Sequence, residues 1–136
     1  MRILAIDYGS KKCGIAATDP LQLIAQGLET VPTHRLFDWL ETYLQAEEVS
    51  DLVIGESLQL DGTDNPIQAE ILGFERKFRK RYPNIQLHRQ DEFHTSRRAR
   101  ESMLAMGLKK KDRRDKQRVD RIAAALILQD FMETRG

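Results

Sequence analysis

Three extended segments follow one another in this chain before any helical period begins, and from there helix and strand alternate. Arg2 to Ile6 is an apolar run ending in Asp7, and the turn-prone Tyr8-Gly9-Ser10-Lys11-Lys12 separates it from a second run, Cys13 to Thr18. That pattern predicts a β-hairpin. Asp19-Pro20 breaks the second strand, and a third extended segment lies between about Leu23 and Val31. Leu36, Phe37, Leu40 and Leu44 then recur at intervals of three and four, the apolar stripe of a helix over Thr33 to Gln45. Asp51 to Gly55 reads Asp-Leu-Val-Ile-Gly, a strand of the kind buried on both faces of a parallel sheet. Beyond the polar stretch Asp61-Gly62-Thr63, Asp64-Asn65-Pro66 opens a helix, with proline where its missing N–H costs nothing. Ile67, Ile71, Phe74 and Phe78 form its buried stripe, and Pro83-Asn84 ends it. Ile85 to Gln90 alternates, Ile85 and Leu87 pointing one way, and runs into Asp91-Glu92. Two more helices are predicted, over Thr95 to Met106 and Lys116 to Thr134, with an exposed charged loop from Lys109 to Asp115 between them. The order βββαβαβαα implies an α/β fold: a central five-stranded mixed sheet flanked by helices. With no repeat or linker, residues 1–136 read as one domain.

Charge is divided unevenly along that frame. Met1 to Gln68 holds 4 basic and 11 acidic residues, net −7, whereas Ala69 to Gly136 holds 18 basic and 10 acidic, net +8. A basic half suits a polyanion, since phosphate backbones are bound mainly through Lys and Arg. Arg97, Arg98 and Arg100 lie on the helix that begins beside Asp91-Glu92, and Lys109 through Arg121 carries eight basic residues against three acidic ones. Lys109, Lys110, Lys111, Arg113, Arg114 and Lys116 are therefore candidate phosphate contacts, with Lys11 and Lys12 of the first turn. Arg76, Lys77, Arg79, Lys80 and Arg81 fit the solvated face of an amphipathic helix equally well. Low aromatic content favours a backbone or duplex reader over a single-strand stacking platform. The lone Cys13 excludes an internal disulfide and a cysteine-rich zinc site, and its apolar neighbours make it a core residue. No run approaches the roughly 20 apolar residues of a membrane span, and the first residues lack a signal-peptide layout. A cytoplasmic protein with no membrane partner is expected.

Asp7 ends an apolar strand, where a carboxylate needs a partner, supplied either by amides of the Tyr8-Gly9-Ser10 turn or by a ligand. Glu56 ends the fourth strand and Asp91-Glu92 the fifth; if strands one, four and five run parallel, their C-terminal ends share one rim, the usual ligand position in open α/β sheets. Asp120 lies at the start of the last helix, just before Ala123 to Ala125, whose small side chains allow close approach to the sheet. Converging carboxylates repel one another, and a hard divalent cation relieves that repulsion. Mg²⁺ or Mn²⁺ is the expected cofactor, and two-metal phosphodiester hydrolysis the expected chemistry. His94 could assist proton transfer or serve as a surface cap.

Together these residues resemble a known family. Leu4-Ala5-Ile6-Asp7-Tyr8-Gly9-Ser10-Lys11-Lys12-Cys13-Gly14-Ile15-Ala16, Thr18-Asp19-Pro20, Asp61-Gly62-Thr63, Asp91-Glu92, and Lys116 with Val119-Asp120-Arg121-Ile122-Ala123-Ala124 are similar to the YqgF/RuvX family, in order and over nearly the whole chain. The resemblance implies an RNase H-like fold and a nuclease role in maturing the 5′ end of precursor 16S ribosomal RNA, with ribosomal particles as possible partners. Because family members are Holliday-junction-resolvase-like, branched DNA is implied as a second substrate. The family's acidic site falls on Asp7, the Asp91-Glu92 pair and Asp120, with Gly9, Lys11 and Gly14 in its first hairpin. Two departures stand out: Gly55-Glu56-Ser57 replaces an apolar-Pro pair and adds a carboxylate to the metal set Asp7, Glu92 and Asp120, and Phe93-His94-Thr95-Ser96 lacks the family's arginine.

Two rival readings have distinct signatures. Asp7-Tyr8-Gly9-Ser10 with Gly14 also resembles the first phosphate loop of actin-like and sugar kinases, but no second glycine-rich phosphate motif follows. A non-catalytic RNA-binding assembly factor would keep the basic face without cutting. Either a monomer or a homodimer is compatible with the sequence, junction cleavage requiring two sites.

Overall fold

The computed structural model describes residues 1–56, 66–91 and 116–135. Strands β1 (Arg2–Asp7), β2 (Lys12–Thr18) and β3 (Ala25–Pro32) come first, and a 3₁₀ turn (Thr33–Arg35) leads into helix α1 (Leu36–Ala46). Strand β4 (Val49–Glu56), helix α2 (Pro66–Arg81), strand β5 (Gln86–Asp91) and helix α3 (Lys116–Arg135) complete the described elements. The five strands form one sheet in the order β3-β2-β1-β4-β5. β1, β4 and β5 run parallel, and the β1–β2 and β2–β3 pairs are antiparallel. The expected mixed sheet and strand order are therefore present; the helix expected over Thr95 to Met106 lies outside the described residues.

β1 and β4 are apolar throughout because they are covered twice. Leu4, Ile6, Leu52 and Ile54 pack with Leu36, Leu40, Ile71, Phe74 and Phe78 beneath α1 and α2. Ile3, Ala5, Ala16 and Val53 pack with Ala124, Ile127, Leu128 and Phe131 of α3 on the other face. Burying each such Leu, Ile or Phe contributes roughly 1.5–3 kcal/mol, so the two central strands hold the sheet's rim in place. Cys13 is buried in the first cluster, as its neighbours predict.

Helix α3 crosses the sheet along one register row, Gly27–Ala16–Ala5–Val53–His88. At the β3 end, a Cβ on Gly27 would stand 3.0 Å from the Arg121 carbonyl oxygen. At the β5 end, the Phe131 and His88 rings lie 4.7 Å apart. Small residues on the sheet meet small residues on the helix, with Ala123 and Ala124 fully buried, and the backbones approach closely. Polar ties secure β5: His88 Nε2 lies 2.8 Å from the buried Asp51 carboxylate, and Arg89 forks onto buried Glu75 at 2.6 and 3.0 Å.

The third strand begins later than its hydrophobicity predicts. Leu23 and Ile24 are 70% and 69% exposed, as is Leu21 at 76%, because the Asp19 carboxylate accepts their backbone N–H groups and folds them into a turn. These bonds, the one from Ile24 foremost, hold the Asp19 carboxyl below its ordinary value of 3.8. A depressed carboxyl contributes stability that is complete above the unfolded-state value and is lost as pH falls through the folded one. Asp19→Ala is accordingly expected to melt below wild type at pH 7, with the gap closing below about pH 3.8 in thermal melts across pH.

The cationic cluster of α2 behaves as a helix surface. Arg76, Lys77, Arg79, Lys80 and Arg81 are exposed, Lys77 lies over the Phe37 ring at 4.3 Å, and Arg81 approaches Glu41 at 3.7 Å. No described helix is long and apolar enough to cross a membrane.

Candidate functional site

Alternation along β1 sets Asp7 on the α3 side of the sheet, two residues beyond Ala5 and four beyond Ile3. Its register partners are Gly14 on β2 and Gly55 on β4. The half-buried carboxylate thus stands between two residues without side chains, at the point where the apolar strand meets the rim. A larger residue at either neighbouring position would occupy the space beside it.

Glu56 and Asp91 are the last residues of β4 and β5 and are register partners across that parallel pair. Adjacent strands are about 4.8 Å apart, so the backbone positions of Asp7, Glu56 and Asp91 share the rim expected of them. Asp7 is in register with Gly55, one residue before Glu56. Asp120 lies in α3 one turn before Ala124 and next to Arg121, whose backbone rests on Gly27. Glu92 lies outside the described residues. Among the described residues no three His, Cys, Asp or Glu side chains are grouped to hold a metal; the rim contributes Asp7 alone to that comparison, because only the backbone is described at 56, 91 and 120. The donor chemistry at these positions is oxygen only, which fits Mg²⁺ or Mn²⁺ and not a thiolate-seeking ion.

The first turn is built more firmly than its composition indicates. Thr33, in the 3₁₀ turn after β3, donates its backbone N–H to the Lys11 carbonyl at 2.9 Å and its hydroxyl to the Gly9 carbonyl at 2.6 Å. The Cys13 thiol also reaches the Gly9 carbonyl, at 3.8 Å. Lys11 is exposed at the top of this clamped turn and Lys12 is half-buried at the start of β2. Sequence reasoning missed Thr33, since a threonine at a helix start signals only a cap. A Cβ on Gly9 would come within 2.4 Å of the Lys12 carbonyl oxygen, so the turn tolerates no side chain there. Gly9→Ala is expected to lower substrate cleavage about tenfold or more and stability by about 1–3 kcal/mol, read by a cleavage assay beside a denaturant melt.

Tyr8, next to Asp7, takes no part as a base. Burial pushes its hydroxyl up to about 12, and its ring packs 5.9 Å from Phe74 on the α2 side. Of the other expected phosphate contacts, Lys116 opens α3, whereas Arg97, Arg98, Lys109, Lys110, Lys111, Arg113 and Arg114 lie outside the described residues, as does His94.

Comparison with known proteins bears on this arrangement. The family model described as "RuvX: Holliday junction resolvase" matches residues 1–134. Relatives from Phocaeicola vulgatus and Bacteroides fragilis are each 45% identical over 134 residues, covering 98% of this chain and 96% and 97% of theirs, and one from Flavobacterium johnsoniae is 43% identical. All three carry the name "Putative pre-16S rRNA nuclease". Among solved structures, T. thermophilus RuvC in complex with a Holliday junction substrate aligns with a TM-score of 0.60 at 18% identity, covering 100% of this chain and 96% of that one. The fold is thus the RuvC type, RNase H-like, as the sequence resemblance implies.

Proposed function

The chain belongs to the RuvX (YqgF) family, and from that premise we propose that it is a divalent-metal-dependent nuclease that trims the 5′ end of precursor 16S ribosomal RNA. The observation that carries this reading is Asp7, held between Gly14 and Gly55 at the rim where three parallel strands end. Names of relatives sharing 45% identity supply the substrate. Asp7, Glu92 and Asp120 would hold Mg²⁺ or Mn²⁺, with Glu56 adding a fourth carboxylate. Counting on by two from His88, whose ring meets α3, selects Glu92 over Asp91 as the ligand. When bound, such ions activate water and stabilise the leaving oxygen.

The chain's own residues divide the remaining work. Asp7 fixes the position of the reacting phosphate relative to the sheet, because its backbone is locked in the central strand. Lys11 and Lys12, on the turn clamped by Thr33, bind backbone phosphates beside it, and the basic residues Arg97, Arg98, Lys109 to Lys111, Arg113, Arg114 and Lys116 extend that contact. This division fits a cytoplasmic enzyme acting on a ribosomal precursor.

A second substrate reading is favoured by the family model, whose description names a Holliday junction resolvase. Resolution needs paired sites and hence a dimer. Incubating the protein with a 5′-extended 16S RNA and with a four-way DNA junction, each in Mg²⁺, Mn²⁺ or EDTA, separates the two. Metal-dependent RNA cutting supports the proposal; cutting of the junction alone replaces it with the resolvase reading; binding of both without cutting leaves an assembly factor.

A further inference from the structure

On the edge of the sheet farthest from β5, an open cleft of about 600 Å³ runs between β3 and α1, and the only tryptophan of the chain lines it. Trp39 stacks on Tyr43 at 4.9 Å and 12°, one helical turn apart. Its indole N–H donates to the Glu29 carboxylate at 2.8 Å, which fixes the ring against the strand. Thr30, Arg35 and Asp38 also line the cleft. β3 has β2 as its one partner strand among the described residues, so its outer row of backbone N–H and C=O groups borders the cleft.

We propose that this cleft binds an extended, arginine-bearing peptide segment of a partner protein, added as a strand along β3 with a guanidinium group on the Trp39–Tyr43 pair. Three observations converge on that occupant. A strand edge with a pocket beside it is the arrangement that receives an extended peptide, main chain on the edge and one side chain in the pocket. A stacked, immobilised indole is the best cation–π surface a protein offers, and arginine the side chain that uses it most. The carboxylates of Glu29 and Asp38 supply opposite charge, within a half-chain of net −7 (4 basic, 11 acidic). Arg35 opposes a cation but is outnumbered by these two acids. A nucleic acid strand meets the reverse balance: its bases could stack on Trp39, while its phosphates would face the acidic surface. The proposal is independent of the rim site, which lies on the far side of β2.

Trp39 reports directly on occupancy, being the chain's single indole. Titrating the full-length protein with the acetylated, amidated peptide Arg-Val-Arg-Val-Arg is expected to change tryptophan emission saturably. Asp38→Asn is expected to weaken binding about 3- to 5-fold, the range for one exposed ion pair, and Arg35→Gln to strengthen it. Both side chains are exposed, and circular dichroism checks that the variants fold. Cleavage of RNA by Asp38→Asn in the absence of peptide is expected to match wild type. Absence of any emission change with the peptide overturns the proposal. So does saturable quenching by oligo-uridine with the two substitutions acting in the opposite directions, which would assign the cleft to the nucleic acid.

Discussion

Asp7→Asn is expected to reduce single-turnover cleavage by at least about 10³-fold, about 4 kcal/mol of barrier, while leaving the melting temperature unchanged or raised. The substitution is nearly isosteric and keeps a polar group at the end of β1, so the strand's packing through Ile3, Leu4, Ala5 and Ile6, all fully buried, is untouched. What it removes is the charge. Carboxylates gathered on a rim repel one another in the metal-free protein, and neutralising one relieves that repulsion. Loss of activity with retained or increased stability separates a site residue from a structural one. Rates within tenfold of wild type would remove Asp7 from the chemistry; a large fall in melting temperature would mark it as a structural carboxylate satisfied by the neighbouring turn.

Gly27→Val is the substitution expected to cost most in stability, although valine suits a strand better than glycine does. Its Cβ would lie 3.0 Å from the Arg121 carbonyl oxygen and 3.3 Å from the Arg121 Cβ, both in a helix that cannot yield locally. Helix α3 must lift from the row Gly27–Ala16–Ala5–Val53–His88 or the strand must bend. Overpacking of this kind costs about 2–3 kcal/mol, a fall of roughly 6–12 °C for a chain of this size. Because Asp120 precedes Arg121 directly, cleavage measured well below the melting temperature is expected to fall further than the unfolded fraction accounts for. Gly27→Ala, with less bulk beyond Cβ, is expected to show the same sign at smaller size. A Gly27→Val protein that melts with wild type would show that α3 does not bear on β3 as described.

How much of this could be read from the sequence depended on whether the signal was local. The double burial of β4 was visible in Asp-Leu-Val-Ile-Gly because covering both faces leaves no polar position, and the observed strand contains that run. The start of α2 at Pro66 and its apolar stripe were visible for the same reason. Leu23 and Ile24 misled because hydrophobicity predicts a strand, whereas the Asp19 side chain captures their amides and turns the chain first. At the rim, Asp7 was legible as the carboxylate closing an apolar strand. Its flanking glycines were not, since Gly14 and Gly55 become its neighbours only through pairing registers with β2 and β4. The small residues Ala123 and Ala124 announced a close approach, but their counterparts Gly27, Ala16 and Ala5 sit in three different strands. Thr33 and Trp39 acquire their roles only across the fold, one clamping a turn more than 20 residues earlier, the other bound to Glu29 on β3.

The most direct test of the rim as a metal-dependent site is Mn²⁺ binding followed by electron paramagnetic resonance, in wild type, Asp7→Asn and Asp120→Asn. The account predicts saturable loss of the free Mn²⁺ signal with wild type, competed by Mg²⁺, and at least about tenfold weaker binding in each variant, the effect typical of losing support at a metal site. Equal binding by all three proteins, or none by wild type in the presence of its RNA substrate, would contradict it.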